Sequence, residues 1–215
     1  MHRLVAPCFA LGLAALLASA APASAAMVRP AVFSKQDKAD FDRISTSLNS
    51  IQTMSGQFVQ IGPNGETDQG TFAISKPGKM RFDYQPPNPT LVWSNGLSLS
   101  VYNTKLKTTD SYPLSTTPLN ILLSNHVNLK NNSAVIGLER QQGSLIVNAR
   151  SNDRRVTGNI TIVFAEPSLE LRQWTIIDAQ GLATTVFLRS VQTGVAISDT
   201  IFGLKDSKAS TQKSD

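Results

Sequence analysis

Cysteine is almost missing from this chain. Of 215 residues only Cys8 is one, and it lies in the first apolar run. Everything after it is therefore closed to disulfides, thiol nucleophiles and cysteine-ligated metals. Histidine is nearly as scarce: His2 and His126. A single histidine beyond the N-terminus cannot supply a multi-histidine metal set such as His-Glu-x-x-His. The sequence contains no Gly-x-Ser-x-Gly elbow and no Gly-x-x-x-x-Gly-Lys phosphate loop. Charge is sparse and mixed, with Lys plus Arg 20 against Asp plus Glu 15 and a net charge of +5. The densest basic stretch, Arg150 to Arg155, is interrupted by Asp153. Nucleic-acid binding calls for a basic stripe with aromatic or helix-borne readers, and none is present.

Long apolar runs are also few. Leu4 to Ala18 is the longest, at 15 residues, short of the roughly 20 a membrane-spanning helix needs. It follows the positive Met1-His2-Arg3 and leads into Ala23-Ser24-Ala25. That order of charge, apolar run and small-x-small site is expected to be a secretory signal peptide over 1–25, cut after Ala25, and it points to a periplasm. Cleavage there leaves 190 of the 215 residues, the length of one domain. Residues 26–206 are expected to form that domain, and 207–215 a polar tail.

Phe41, Ile44, Leu48 and Ile51 recur at helical spacing between Asp37 and Gln52. They make one apolar stripe, as on a helix that lies on something else. After Met54 the period changes to that of short strands. The expected strands are 56–61, 70–75, 79–84, 90–94, 97–102, 107–112, 133–140, 144–149, 159–164, 170–177, 182–190 and a last piece near 196–202. Asn95-Gly96 carries the strongest short hairpin signal. Thr117-Pro118 reads as the N-cap and first position of a short apolar helix of two turns.

The expected fold is therefore α+β, mostly antiparallel β. About eleven strands in meander order form one large sheet, which curls because strands twist. Helices laid over its concave face would enclose an apolar interior. Phe58, Phe72, Met80, Phe82, Tyr84, Trp93, Leu99 and Val101 are expected to point into it, with Leu119 and Leu122 of the short helix. Tyr and Trp bring apolar bodies with polar tips, and Met fills irregular space. Periodicity does not distinguish a filled core from a ligand-holding cavity.

The order of several short stretches narrows this. Gly56-Gln57-Phe58-Val59-Gln60 and Gly70-Thr71-Phe72 open two strands. Lys76-Pro77-Gly78-Lys79-Met80-Arg81-Phe82-Asp83-Tyr84 then runs to Pro86-Pro87. Leu91-Val92-Trp93-Ser94-Asn95-Gly96 and the Thr117-Pro118-Leu119 helix follow, and Leu171-Arg172-Gln173-Trp174 through Gly181 comes much later. Together they resemble the periplasmic lipoprotein carriers of the Lol system, the LolA-like proteins. The resemblance implies a half-open antiparallel barrel with a helical lid and an apolar cavity for acyl chains. It implies neither covalent chemistry nor a cofactor. The implied cargo is acylated lipoproteins. The implied partners are an inner-membrane ATP-driven (ABC-type) exporter and an outer-membrane acceptor, met by a soluble monomer that touches membranes only transiently.

Two positions depart from the family's habit. Arg is common before the Pro of the third-strand turn, where it bonds to lid backbone; here Lys76 stands there, and Lys lacks the planar fork. An aromatic residue is common where Met80 stands. Other classes stay open at this point: a lipid- or lipoprotein-sensing module on the same half-barrel, a glycolipid-binding protein, and a hydrolase built on two of the scattered carboxylates.

Overall fold

The computed structural model describes residues 32–150 and 158–203. The expected signal peptide with Cys8, the tail at 207–215 and most of the Arg150–Arg155 stretch lie outside the described residues.

Helix α1 (Lys35–Ser50) starts where the sequence supplies a cap. The Ser34 side chain accepts from the Asp37 N–H, and the Asp37 carboxylate accepts from the Ser34 N–H at 2.8 Å. This is a capping box, with Asp in the place usually held by Glu. Phe41, Ile44 and Leu48 form the buried stripe. The strands follow: β1 (Thr53–Ile61), β2 (Thr67–Ser75), β3 (Lys79–Tyr84), β4 (Thr90–Asn95), β5 (Ser98–Asn103), β6 (Thr108–Pro113), β7 (Val135–Gln141), β8 (Ser144–Arg150), β9 (Asn159–Ala165), β10 (Leu171–Ile177) and β11 (Ala183–Thr193). All belong to one antiparallel sheet in the order β6-β5-β4-β3-β2-β1-β11-β10-β9-β8-β7.

The chain order is not a plain meander. β1 lies in the middle of the sheet and pairs with β11, so β6 and β7 are left as the two free edges. The chain between those edges, residues 114–134, forms no strand and meets the sheet and its turns through single backbone bonds, Leu114 N–H to Leu97 O, Gly78 N–H to Leu123 O and Arg150 N–H to Ala134 O. It crosses the concave face and carries helix α2 (Asn120–Leu123), a single turn. That is shorter than the two turns expected, and Leu119 rather than Thr117 is its N-cap. The expected last strand near 196–202 is also absent. Its residues form a strap with a 3-10 turn at Asp199–Ile201.

Register sorts the side chains by face. In the rows Met54↔Ile74↔Met80, Gly56↔Phe72↔Phe82 and Phe58↔Gly70↔Tyr84, every second residue faces the helices. Gly56 and Gly70 leave room for a neighbouring ring and for a backbone carbonyl, Arg189 O beside Gly56 and Asp83 O beside Gly70. A Cβ on Gly56 would meet Phe72 Cε1 at 2.9 Å, and one on Gly70 would meet Phe58 Cε1 at 2.7 Å. The result is an aromatic cluster: Phe58 packs edge-on against Phe82 and against Tyr84, each at 4.9 Å, and Phe82 meets Trp174 at 6.0 Å. The buried apolar residues of α1, of residues 114–134 and of the concave face form one continuous cluster.

The strap crosses the other, convex face. Thr53 Oγ1 donates to Val195 O, Lys79 pairs with Asp199, and the Arg81 guanidinium donates to Ile201 O and Gly203 O. Leu91, Ser100 and Phe202 are buried on this side.

Candidate functional site: a lidded apolar hollow

Two groups of interactions hold α1 over the sheet, and they differ in kind. Toward its N-terminal half the contacts are ionic. Asp40 is buried, and its carboxylate accepts from Arg140 Nε and Nη2 at 2.9 and 2.7 Å, from Arg43 Nη1 at 3.0 Å and from Gln36 Nε2 at 3.3 Å. Burial pushes its pKa up, but these donors outweigh it and leave it below the ordinary carboxylate value. Asp37 is lowered as well, by its hydrogen bonds with Ser34 and Arg140. Arg43 reaches Glu166 at 2.8 Å, and Lys130 reaches Asp42 at 2.9 Å. These bonds tie α1 to β7, to the β9–β10 turn and to the crossing segment.

Toward its C-terminal end α1 meets the β2–β3 turn through Lys76. The ammonium donates to Leu48 O at 2.7 Å, a favourable place for a cation because the carbonyls of a helix's last turn carry partial negative charge. Burial lowers the pKa of Lys76. The same turn holds the crossing segment, since Gly78 N–H donates to Leu123 O at 2.8 Å. Gly78 has φ +75°, and a Cβ there would strike Gly96 Cα at 2.6 Å, so only glycine fits. Asn49 completes the attachment by a reciprocal pair with the Val127 backbone, at 2.9 and 2.8 Å.

Beneath this cover are two adjoining spaces that share Met80, Phe82, Leu119 and Trp174 as walls. The one under α1 and α2 is almost filled, with about 20 Å3 free; Leu48, Met54, Ile74, Lys76, Leu122 and Leu123 are among its walls. The other, toward the ends of β1 and β3, has about 130 Å3 and is lined also by Gln60, Tyr84, Val92, Ile176, Thr184 and Val186. Ligand pockets commonly hold about 300–1,000 Å3, so the hollow is small for a ligand site.

Met80, Phe82, Tyr84, Leu119 and Leu122 line these spaces. Phe58 and Phe72 are buried directly behind them. Leu99 and Val101 are half-buried on the same concave face, opposite Ser94 and Val92, but touch neither space. Trp93 is a correction. Its register partners are Arg81 and Ser100, which puts it on the convex face, edge-on to Tyr102 at 6.4 Å. Trp174 is the tryptophan in the hollow. Sequence reasoning also left out Gln60, Ile176 and Val186; the period-2 pattern of β10 and β11 could have supplied the last two. His126 is exposed, and among the described residues no group of three or more His, Cys, Asp or Glu is arranged to hold a metal.

The geometry is that of an apolar hollow covered by α1 and the crossing segment. Residues 49–205 match the family model described as outer membrane lipoprotein carrier protein LolA. An outer-membrane lipoprotein carrier protein of Methylococcus capsulatus is 22% identical over 169 residues, covering 74% of this chain and 80% of that one. A solved LolA superfamily protein from Nitrosomonas europaea aligns at TM-score 0.42 and 10% identity, covering 76% of this chain and 97% of that one. The Pseudomonas aeruginosa MucA/MucB complex gives 0.43 and 11%, over 78% of this chain and 61% of the matched chain. The family match spans most of the sequence, and the chain belongs to the LolA family of outer membrane lipoprotein carrier proteins.

Proposed function

We propose that this protein is a periplasmic carrier. It holds the acyl chains of lipoproteins against its concave apolar face and moves them from the inner to the outer membrane. The observation that carries this reading is the lid itself. A continuous apolar surface is covered by a helix and a crossing segment that are not strands of the sheet, over a hollow lined by residues such as Met54 and Met80 that repack easily.

The energetics suit a shuttle. Each buried methylene is worth about 0.8 kcal/mol, so free acyl chains in water are strongly disfavoured and need a cover. With the lid down, leucines of the crossing segment occupy much of the space. Loading then exchanges one set of apolar contacts for another, and the net affinity stays modest enough for release. Transfer at the far side needs only an acceptor that binds the chains better. On this reading residues 1–25 are the export signal, 26–206 the carrier domain, and the soluble monomer works without cofactor or covalent step. Its partners are an ABC-type inner-membrane exporter and an outer-membrane acceptor. Lys76 serves as the latch between α1 and the β2–β3 turn. The lining Met80, Phe82, Tyr84, Leu119 and Leu122, backed by Phe58 and Phe72 and extended by Leu99 and Val101, is the acyl surface.

The test is to purify the protein from a periplasm without detergent and identify what comes with it by mass spectrometry. Acylated lipoproteins are the expected cargo, and depletion of the protein should strand lipoproteins at the inner membrane. Free glycolipid as the sole cargo, or normal lipoprotein sorting after depletion, overturns the proposal.

A further inference from the structure

The larger space has one polar corner. Gln60 is the next-to-last residue of β1, Tyr84 the last of β3, and Thr184 the second of β11. All three line the 130 Å3 space, whose other walls are apolar, and no ionisable group other than the Tyr84 phenol lines it. Gly70 lies opposite Tyr84 on the intervening strand β2 and has no side chain, so the phenol can lean across to β1. Its hydroxyl donates to Gln60 Oε1 at 2.6 Å. That bond fixes the amide with its oxygen occupied. The Gln60 NH2 is left with no protein acceptor among the described residues, and it borders a space otherwise made for hydrocarbon.

We propose that Gln60, oriented by Tyr84, is a subsite for the neutral carbonyl of an acyl ester or amide, with the hydrocarbon running past Tyr84 toward Leu119 and Trp174. This inference rests on the carrier reading and adds a selectivity to it. A carbonyl oxygen satisfies the waiting N–H. A plain alkyl chain pressed over it would bury the amide unpaired, which is costly. A free carboxylate is disfavoured for a different reason: no cation lines the space to balance it, and Asp68 is close enough to act on Tyr84. Burial and then Asp68 push the Tyr84 hydroxyl up to about 12, so it stays a neutral donor to Gln60 throughout the physiological range. A pocket that presents a hydrogen-bonding group discriminates against analogues lacking its partner, so the corner distinguishes acylated molecules from free fatty acids and from alkyl ethers of equal length.

Trp93→Phe leaves Trp174 as the only tryptophan and makes its fluorescence a reporter of the hollow. The purified Trp93→Phe protein is titrated with 1-octanoylglycerol, with 1-O-octylglycerol, which differs by the carbonyl, and with octanoate at pH 8. The ester should bind up to about tenfold tighter than the ether, and octanoate most weakly. Gln60→Leu should bring the ester-to-ether ratio to about one without weakening the ether, and Tyr84→Phe should reduce the ratio by freeing the amide to turn. Equal affinity for ester and ether, a ratio that survives Gln60→Leu, or octanoate binding as well as the ester overturns the subsite and leaves the carrier reading standing. Failure of all three probes to bind, even when Lys76→Met loosens the lid, overturns both.

Discussion

The buried carboxylate of Asp40 gives an asymmetric prediction. Its side chain is 3% exposed, whereas those of its partners Arg140 and Arg43 are 41% and 44% exposed. Removing Arg140 strips Asp40 of two of its four hydrogen bonds, those at 2.9 and 2.7 Å, and leaves a desolvated charge held by Arg43 and Gln36. Losing one partner of a fully buried pair costs about 3–5 kcal/mol; with Arg43 still in place, Arg140→Leu should cost about 2–3. Removing Asp40 strands nothing, because Arg140 keeps Asp37 at 2.9 Å and both guanidinium groups reach water. Asp40→Leu should therefore cost only about 1 kcal/mol. The double variant Asp40→Leu/Arg140→Leu should be more stable than Arg140→Leu alone, a coupling that a double-mutant cycle reads directly. Urea unfolding at pH 7, followed by tryptophan fluorescence, measures all three. The reasoning is refuted if Asp40→Leu costs as much as Arg140→Leu, or if the two effects simply add.

Acid should act on the same anchor. Asp37 and Asp40 titrate below the ordinary 3.8 in the folded protein, so their stabilisation is present above about 3.8 and is lost as pH falls through the lowered folded values. Amide exchange in the N-terminal half of α1 should therefore rise steeply only below that pH, and an onset near neutrality would contradict the placement. Lys76→Met removes the bond to Leu48 O together with the cost of burying an ammonium. It should change global stability by less than about 1 kcal/mol while speeding amide exchange in the last turn of α1 and in the crossing segment. Because burial lowers the Lys76 pKa from 10.5, the folded state binds fewer protons there, and the wild type should gain on the variant as pH rises through the folded value toward 10.5; protection unchanged in the variant would remove Lys76 from the latch. Phe82→Glu should abolish uptake of acyl probes, whereas Trp93→Ser on the convex face should leave it within about twofold; an equal loss in both would mean that the register does not decide which face binds.

Much of the architecture was legible because β period and turn chemistry are local. Met80, Phe82 and Tyr84 alternate with Arg81 and Asp83, and that alternation alone assigns β3 to two faces. The misplacement of Trp93 was also avoidable. A two-residue hairpin pairs each odd-numbered residue of β4 with an even-numbered residue of β5, whichever two residues form the loop, so Trp93 and the pair Leu99 and Val101 had to point opposite ways. The structure uses Gly96 and Leu97 as the loop, with Gly96 at φ +98°. The β1–β11 pairing was not legible, because it joins residues more than 120 positions apart and no local signal encodes it. The same holds for Asp40 with Arg140: each is an ordinary charged residue in its own segment, and only the long-range fold makes one of them a buried anion. The strap at 195–203 read as a strand because Ile197, Ile201 and Phe202 are apolar, but its polar backbone is satisfied by Arg81 and Thr53 side chains rather than by a neighbouring strand.

The distribution of these interactions bears on how such a lid would open. The ionic contacts of α1 gather on the β7–β10 side, where Arg140 and Glu166 hold its N-terminal half. On the β2–β3 side the attachments are one ammonium–carbonyl bond from Lys76 to α1, a backbone bond from Lys76 N–H to Gln52 O in the short link to β1, and one from Gly78 to the crossing segment. The apolar contacts between lid and floor have no direction and re-form with any hydrocarbon of suitable shape, so they favour coverage without favouring the lid's own leucines over a guest. An opening that lifts the crossing segment and loosens the last turn of α1 breaks the Gly78 and Lys76 ammonium bonds, keeps the Asp40 cluster and the Ile51–Gln52 link to β1, and has fewer directional contacts to lose than one that starts at the other end. It also exposes Met80, Phe82 and Trp174 first, at the place where the two spaces meet. On the carrier proposal the cluster around Asp40 and the short link to β1 then stay fixed, and Lys76 is the catch. Variants at the two ends should separate accordingly: those at Arg140 should lower the stability of the whole fold, and those at Lys76 should change the rate at which a guest enters and leaves.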